Sequence, residues 1–138
     1  MKFIKKQGIP SKTETLDALE RNYGISVPKE LKDYYLQYGD SEIKWCKFKL
    51  NNILYDVAAM IPIEKNNSLS FDNVMKDIKD WIPANLYPFA YNAGGDFYFW
   101  NSKNLKVYII FSDTFELTPN YICDSIGEFF NMMDHSVQ

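Results

Sequence analysis

Residues 87–100 read YPFAYNAGGDFYFW, an aromatic run interrupted by the short segment NAGGD at 92–96. Hairpin turns need residues that tolerate positive φ, and glycine does so without a Cβ clash. Asp96 is expected to accept hydrogen bonds from backbone N–H groups of the turn. A phosphate-binding loop would instead need a helix directly after the glycines. An aromatic segment follows here, so the pattern favours a β-hairpin.

Side chains alternate between the two faces of a strand, so alternate residues of the second strand of this hairpin lie on opposite faces. If Phe97 and Phe99 point into the core, then Asp96, Tyr98 and Trp100 point the other way. That second face is either a docking face or is covered by a helix. Both alternatives stay open, because antiparallel sheets are often covered on one side only.

Helical spacing dominates the first forty residues. SKTETLDALERNYG at 11–24 pairs Ser11 with Glu14 as a predicted capping box and ends at Gly24, a helix stop. SVPKELKDYYLQYGD at 26–40 places Pro28 at the first helical position and Gly39 at the C-cap. These two segments predict an N-terminal helical hairpin.

The remaining chain alternates between strand and helix patterns. Strands are predicted at 42–50 and 53–63, separated by an Asn-Asn turn, then near 86–91, 96–100 and 105–111, with a short strand at 120–123. Helices are predicted at 71–81, with Ser70 as N-cap, and at 124–133, with a capping box from Ser125 to Glu128. We therefore predict one α+β domain over 1–138, with a mostly antiparallel sheet packed against the helical hairpin, a middle helix and a C-terminal helix.

Composition is that of a globular chain with an acidic second half. Charged residues make up 24% and the net charge is −3, but residues 81–138 contain two lysines against six carboxylates. This balance argues against nucleic-acid binding and suits a basic protein partner. No apolar run reaches the length of a membrane span, and the N-terminus is too charged for a signal peptide. Cys46 and Cys123 are expected to be buried free thiols, and the sequence also leaves a disulfide between them open. We predict a cytoplasmic protein that does not bind membranes.

No catalytic or metal-binding pattern stands out. His135 is the only histidine, and it lies far along the chain from Cys46 and Cys123, so a zinc site is not expected. Asp77 and Asp80 are at helical spacing and fit a solvated face. Two carboxylates that converge in a cleft would be needed for a hydrolase, and the sequence does not show such a cleft. We therefore predict a non-enzymatic protein without a cofactor.

Three motifs in order resemble the SMI1/KNR4 superfamily, also called SUKH. They are LERNYGISVPKELKDYYLQYGD at 19–40, YPFAYNAGGDFYFW at 87–100 and the closing DSIGEFFNMM at 124–133. The chain departs from the family pattern at residues 38–40, where many members have Asn-Gly-Gly. The resemblance spans nearly the whole chain and implies the α+β fold of that family.

The resemblance also implies a function, that of a bacterial immunity protein. Such a protein would bind a cognate polymorphic toxin, a basic nuclease for example, and neutralise it by covering its active surface. The alternative is a regulatory or scaffolding module of the same fold. The partner-binding residues that we predict are acidic residues and aromatic residues on or beside strands: Asp96, Tyr98, Trp100, Tyr91, Trp45, Glu42, Asp113 and Glu116.

Overall fold

Strands and helices alternate along the computed structural model, which describes residues 1–113 and 117–137. The elements of these residues, in chain order, are β1 (Ile4–Lys6), α1 (Thr13–Tyr23), α2 (Lys29–Tyr38), β2 (Glu42–Ile43), β3 (Cys46–Leu50), β4 (Ile53–Val57), β5 (Ala59–Met60), α3 (Phe71–Ile78), β6 (Leu86–Tyr91), β7 (Phe97–Asn101), β8 (Val107–Ile110), β9 (Asn120–Cys123) and α4 (Ile126–Ser136).

Five of the strands form the main sheet, in the order β5-β6-β7-β8-β9, and every neighbouring pair is antiparallel. Two smaller antiparallel pairs lie outside it, namely β1 with β2 and the hairpin of β3 with β4. The predicted α+β class, with a mostly antiparallel sheet and helices at both chain ends and in the middle, is confirmed. Strand β1 was not predicted, because its pairing partner lies nearly forty residues away in the sequence.

Helix starts agree with the predicted caps at two of three positions. The Ser70 hydroxyl accepts a hydrogen bond from the Asn73 N–H, and the Ser125 hydroxyl accepts one from the Glu128 N–H at 3.0 Å. In the predicted capping box the Glu128 carboxylate would accept a hydrogen bond from the Ser125 N–H, but it accepts one from the Asp124 N–H instead. The capping box at Ser11 is wrong: α1 starts at Thr13 after an extended Lys12, without a side-chain cap.

The predicted role of Asp96 in the β6–β7 turn is wrong. The Asn92 side chain, not Asp96, accepts a hydrogen bond from a backbone N–H of the turn, that of Asp96, at 2.8 Å. One glycine supplies the unusual backbone, since Gly95 has φ 87°. The Asp96 carboxylate instead accepts from the backbone and hydroxyl of Ser112, which lies beyond β8.

Both faces of the main sheet are buried at its centre. Phe99 and Ile110 are buried on one face, and Tyr98 (0% exposed) and Trp100 (1% exposed) on the other. The Tyr98 ring contacts Phe129 of α4 with centroids 4.9 Å apart. Trp100 stacks on Phe71 of α3 at 6.2 Å. The prediction that Tyr98 and Trp100 are open to a partner is therefore wrong, because α3 and α4 cover that face.

Candidate protein-binding surfaces

The β3–β4 hairpin is buried on one face and exposed on the other. Cys46, Phe48 and Tyr55 share the inner face, where the Phe48 ring meets Phe129 of α4 at 5.9 Å. The outer face carries Trp45 (57% exposed), Lys47, Lys49 and Leu54 (65% exposed). We call these four residues the hairpin patch. Two large exposed apolar side chains on one face of a hairpin make this face a candidate interaction surface.

Two contacts fix the exposed Trp45 ring in place. Its indole N–H donates to the Asp56 carboxylate at 2.8 Å, and the Lys47 ammonium lies 3.9 Å from the ring centroid. The same Asp56 oxygen accepts the backbone N–H of Ala93 in the β6–β7 turn at 2.9 Å. An aromatic side chain that is already held in place loses less conformational entropy when it binds.

The acidic residues of the second half mostly serve the fold. Besides Asp96, Asp124 accepts a hydrogen bond from the Tyr121 hydroxyl, and Glu128 accepts the Asp124 N–H at 3.1 Å. Asp134 accepts the N–H of Phe3, 131 residues away, at 3.2 Å. These carboxylates are held by internal partners, so charge count alone overstated the acidic surface available to a partner.

The other predicted site residues do not form one face. Asp113 is exposed, and Glu116 lies outside the described residues. Glu42 is exposed, with its carboxylate 4.0 Å from the Lys5 ammonium. Half-buried Tyr91 lies with Glu42 around a small depression of about 210 Å³. Of the eight predicted residues, Trp45 is the exposed aromatic one.

A second surface, which sequence reasoning missed, lies between α1 and the loop after β5. This groove has a volume of about 580 Å³ and a mostly apolar lining that includes Ile9, Ala18, Leu19 and Ile63. Glu64 lies in its wall. We call it the α1 groove. The exposed Ile9 in a polar N-terminal segment, together with small residues Thr15 and Ala18 on one side of α1, was the available signal.

Burial makes the two cysteine thiols less reactive. Burial raises the pKa of the Cys123 thiol to about 12 and also raises the pKa of Cys46, and both thiols are free. A thiol is nucleophilic as its thiolate, so these positions are poor nucleophiles at neutral pH. His135 contacts the carbonyl of Asn131 in its own helix at 2.8 Å.

Neither a metal-binding cluster nor a membrane-spanning helix is found among the described residues. Residues 1–113 and 117–137 contain no group of three or more His, Cys, Asp or Glu side chains that could hold a metal ion. In the same part of the chain, no helix combines the length and the apolar character that a membrane crossing requires.

Comparison with known families places most of the chain in a described family. The family described as SMI1 / KNR4 family (SUKH-1) matches residues 10–132, which is most of the chain. A search of curated proteins finds no significant match.

Proposed function

Since the chain belongs to the SMI1/KNR4 (SUKH-1) family, we propose that it is an immunity protein that binds and neutralises a cognate toxin. Neutralisation on this proposal is physical, because the bound protein covers the active surface of the toxin. It needs no catalysis and no cofactor from this chain. A nuclease toxin, and action in the bacterial cytoplasm, are the finer parts of the proposal and rest on the family resemblance.

The observation that carries the proposal is the exposed and pre-positioned Trp45. Tryptophan is enriched among the few interface residues that supply most of the binding free energy. On the same outer face, the Lys47 ammonium lies over the Trp45 ring, and the exposed Leu54 lies further along the hairpin, opposite Lys49. We expect the toxin surface that contacts the hairpin patch to offer apolar contacts for Trp45 and Leu54 and carboxylates for the two lysines.

Co-expression with the toxin domain encoded immediately upstream tests this proposal. Cell survival and co-purification of a stable complex are expected for the wild-type chain. Trp45→Ala should weaken the complex about tenfold or more while the fold stays intact, since Trp45 is 57% exposed. Trp81→Ala is the matched control, because Trp81 is partly exposed but lies outside the hairpin patch.

The outcomes separate the two candidate functions. Survival with a complex that Trp45→Ala weakens and Trp81→Ala does not weaken supports both the immunity role and the surface. A toxin domain that stays active with excess protein present overturns the immunity role. A regulatory or scaffolding module then becomes the better proposal.

A further inference from the structure

The α1 groove has the form of a site for an extended protein segment. The groove has an apolar lining and a volume of about 580 Å³. A second depression of about 440 Å³ lies next to it. Asn22, Lys65 and Asp72 line both, so the two form one continuous crevice along α1. A crevice of this kind takes side chains of a bound segment, while the segment's backbone lies across it.

One wall of the groove is held rigidly. The N–H of Ile9 donates to the Asp40 carboxylate at 2.7 Å, and the N–H of Gly8 donates to the Ser41 hydroxyl at 2.8 Å. Gly39 has φ 54°, and a Cβ at this position would lie 1.8 Å from the carbonyl oxygen of Ile9. Ile9 is thus fixed at the groove although it is 77% exposed.

Glu64 gives the groove a specific acceptor. Its Oε2 atom is buried, and no group among the described residues lies within hydrogen-bond distance of it. The carboxylate is close enough to Tyr35 to add to the rise of that hydroxyl's pKa, which burial mainly causes. A buried carboxylate oxygen without a donor is costly, so little is lost when the partly exposed Glu64 side chain turns towards a donor that a ligand brings into the groove.

The charges around the groove favour a cation. Four carboxylates line it, on Glu14, Asp40, Glu64 and Asp72, against two ammonium groups, on Lys12 and Lys65. Asp40 is held by the Ile9 N–H and Asp72 by the Tyr23 hydroxyl, so these negative charges are fixed in position. The surplus of negative charge over an apolar floor selects a positively charged side chain flanked by apolar ones.

We infer that the α1 groove binds an extended protein segment in which an arginine, flanked by apolar residues, donates hydrogen bonds to Glu64. Guanidinium is less strongly hydrated than ammonium and presents several donors in one plane, which suits a partly buried carboxylate. That the segment belongs to a basic toxin rests on the proposed function. In that case the α1 groove would be the acidic surface that contacts the basic toxin, and it is separate from the hairpin patch with its two lysines.

The test uses the full chain labelled with ¹⁵N and a capped peptide, Ala-Leu-Arg-Leu-Ala, titrated into it. Backbone amides of residues 14–22 and 63–66 should shift, and amides of the hairpin patch should not. The same peptide with citrulline in place of arginine keeps the shape and loses the charge, and it should bind about tenfold more weakly. Lysine in place of arginine should bind with intermediate affinity.

Variants of the protein assign the contact to Glu64. Glu64→Gln should weaken arginine-peptide binding about tenfold, and Asp17→Asn, an exposed change elsewhere on α1, should not alter it. Ala18→Leu fills the groove with a good helix former and should abolish binding. The inference is overturned by shifts that map outside the groove, by equal binding of the citrulline peptide, or by unchanged binding to Glu64→Gln.

The outcome is independent of the toxin experiment. If the toxin is neutralised but the peptide does not bind in the groove, the groove inference fails and the proposed function stands. If the peptide binds through Glu64 but the toxin is not neutralised, the groove inference stands and the immunity role fails.

Discussion

Two aromatic hairpins of this protein have opposite fates. The β6–β7 hairpin lies at the centre of the main sheet, and its Phe89, Tyr98, Phe99 and Trp100 are all buried. The β3–β4 hairpin forms its own two-stranded sheet and leaves one face to solvent. Both are rich in aromatic residues, so aromatic content does not distinguish a core hairpin from a docking hairpin.

The difference lies in the residues between the aromatic ones. In β3 the order Lys47-Phe48-Lys49 alternates charge with aromatic, which marks one wet face and one buried face. In β7 the order Phe97-Tyr98-Phe99-Trp100 has no charge on either face, which is typical of a strand buried on both sides. An exposed docking aromatic is therefore better sought on strands that also carry charge.

Tryptophan substitutions give the largest contrast between the hairpins. Trp100→Ala should lower the free energy of unfolding by about 3–5 kcal/mol, because it opens a cavity against Phe71 and Tyr87. Trp45→Ala should change it by less than about 1 kcal/mol, as for other surface positions. Urea titration of both variants measures the two values.

Trp100→Phe sharpens that result. The Trp100 indole N–H has no hydrogen-bond partner among the described residues, so phenylalanine removes an unsatisfied donor while it keeps most of the packing. Its cost should be well below that of Trp100→Ala. Equal destabilisation by Trp45→Ala and Trp100→Ala would show that the division into a buried and an exposed hairpin is wrong.

Asp56 joins the two hairpins, so its removal is the next largest effect. Asp56→Ala takes away the acceptor for both the Trp45 indole and the Ala93 N–H and should cost about 1–3 kcal/mol. The Tyr98 hydroxyl should keep its bond, since it donates to the backbone carbonyl of Asp56 at 2.8 Å. Urea titration gives the cost, with Asp17→Ala on exposed α1 as the control.

Tryptophan fluorescence adds a local readout to the Asp56 experiment. A freed Trp45 ring should be more mobile and more hydrated, so its emission should shift to longer wavelength in Asp56→Ala. If the spectrum and the stability both match those of Asp17→Ala, then Asp56 does not hold the hairpin patch in place.

The sequence predicted most local features, apart from the Ser11 cap and the role of Asp96 in its turn, and it predicted long-range burial poorly. Ser70 and Ser125 as N-caps and Asn51-Asn52 as a turn act through neighbours within a few residues, and the structure has each of these three features as predicted. Trp100 is buried because α3 covers it, and the alternation of side chains along a strand does not indicate which helix will cover a face. The α1 groove depends on Gly39 meeting Ile9, a contact between segments thirty residues apart.

The hairpin turns provide a smaller test. Gly95 has φ 87° with open space around its Cα, so Gly95→Ala meets no clash and should cost about 1–2 kcal/mol for backbone strain alone. Asn52 in the β3–β4 turn has φ 66°, and Asn52→Gly should be neutral or slightly stabilising, because glycine adopts this conformation freely. Thermal unfolding of both variants compares the turns. A loss of stability in Asn52→Gly would contradict the assignment.

The two buried thiols allow the inner face of the β3–β4 hairpin to be compared with the main sheet, because each region contains one of them. Cys46 lies in β3 and Cys123 in β9, and burial raises the pKa of both, to about 12 for Cys123. A raised folded-state pKa stabilises the protein below the ordinary thiol pKa. That contribution is lost as pH rises from about 9 towards 12, because the unfolded chain then gains a thiolate. Stability should therefore fall across this alkaline window, and less so in Cys123→Ala.

The smallest expected effect is a difference in the rates at which the two cysteines react with a thiol reagent at pH 8. The rate for Cys46 is measured in Cys123→Ala, and the rate for Cys123 is measured in Cys46→Ala. In the folded protein both cysteines should react far more slowly than in the urea-unfolded protein, and Cys46 should react faster than Cys123. Its strand pairs only with β4, and a two-stranded hairpin opens locally more readily than a strand of a five-stranded sheet. Cys123 also lies at the sheet edge, so equal rates would mean that the edge strand β9 opens as readily as the hairpin. In that case the two-stranded hairpin would open no more readily than the edge of the five-stranded sheet, and the expected difference between the two regions would be wrong.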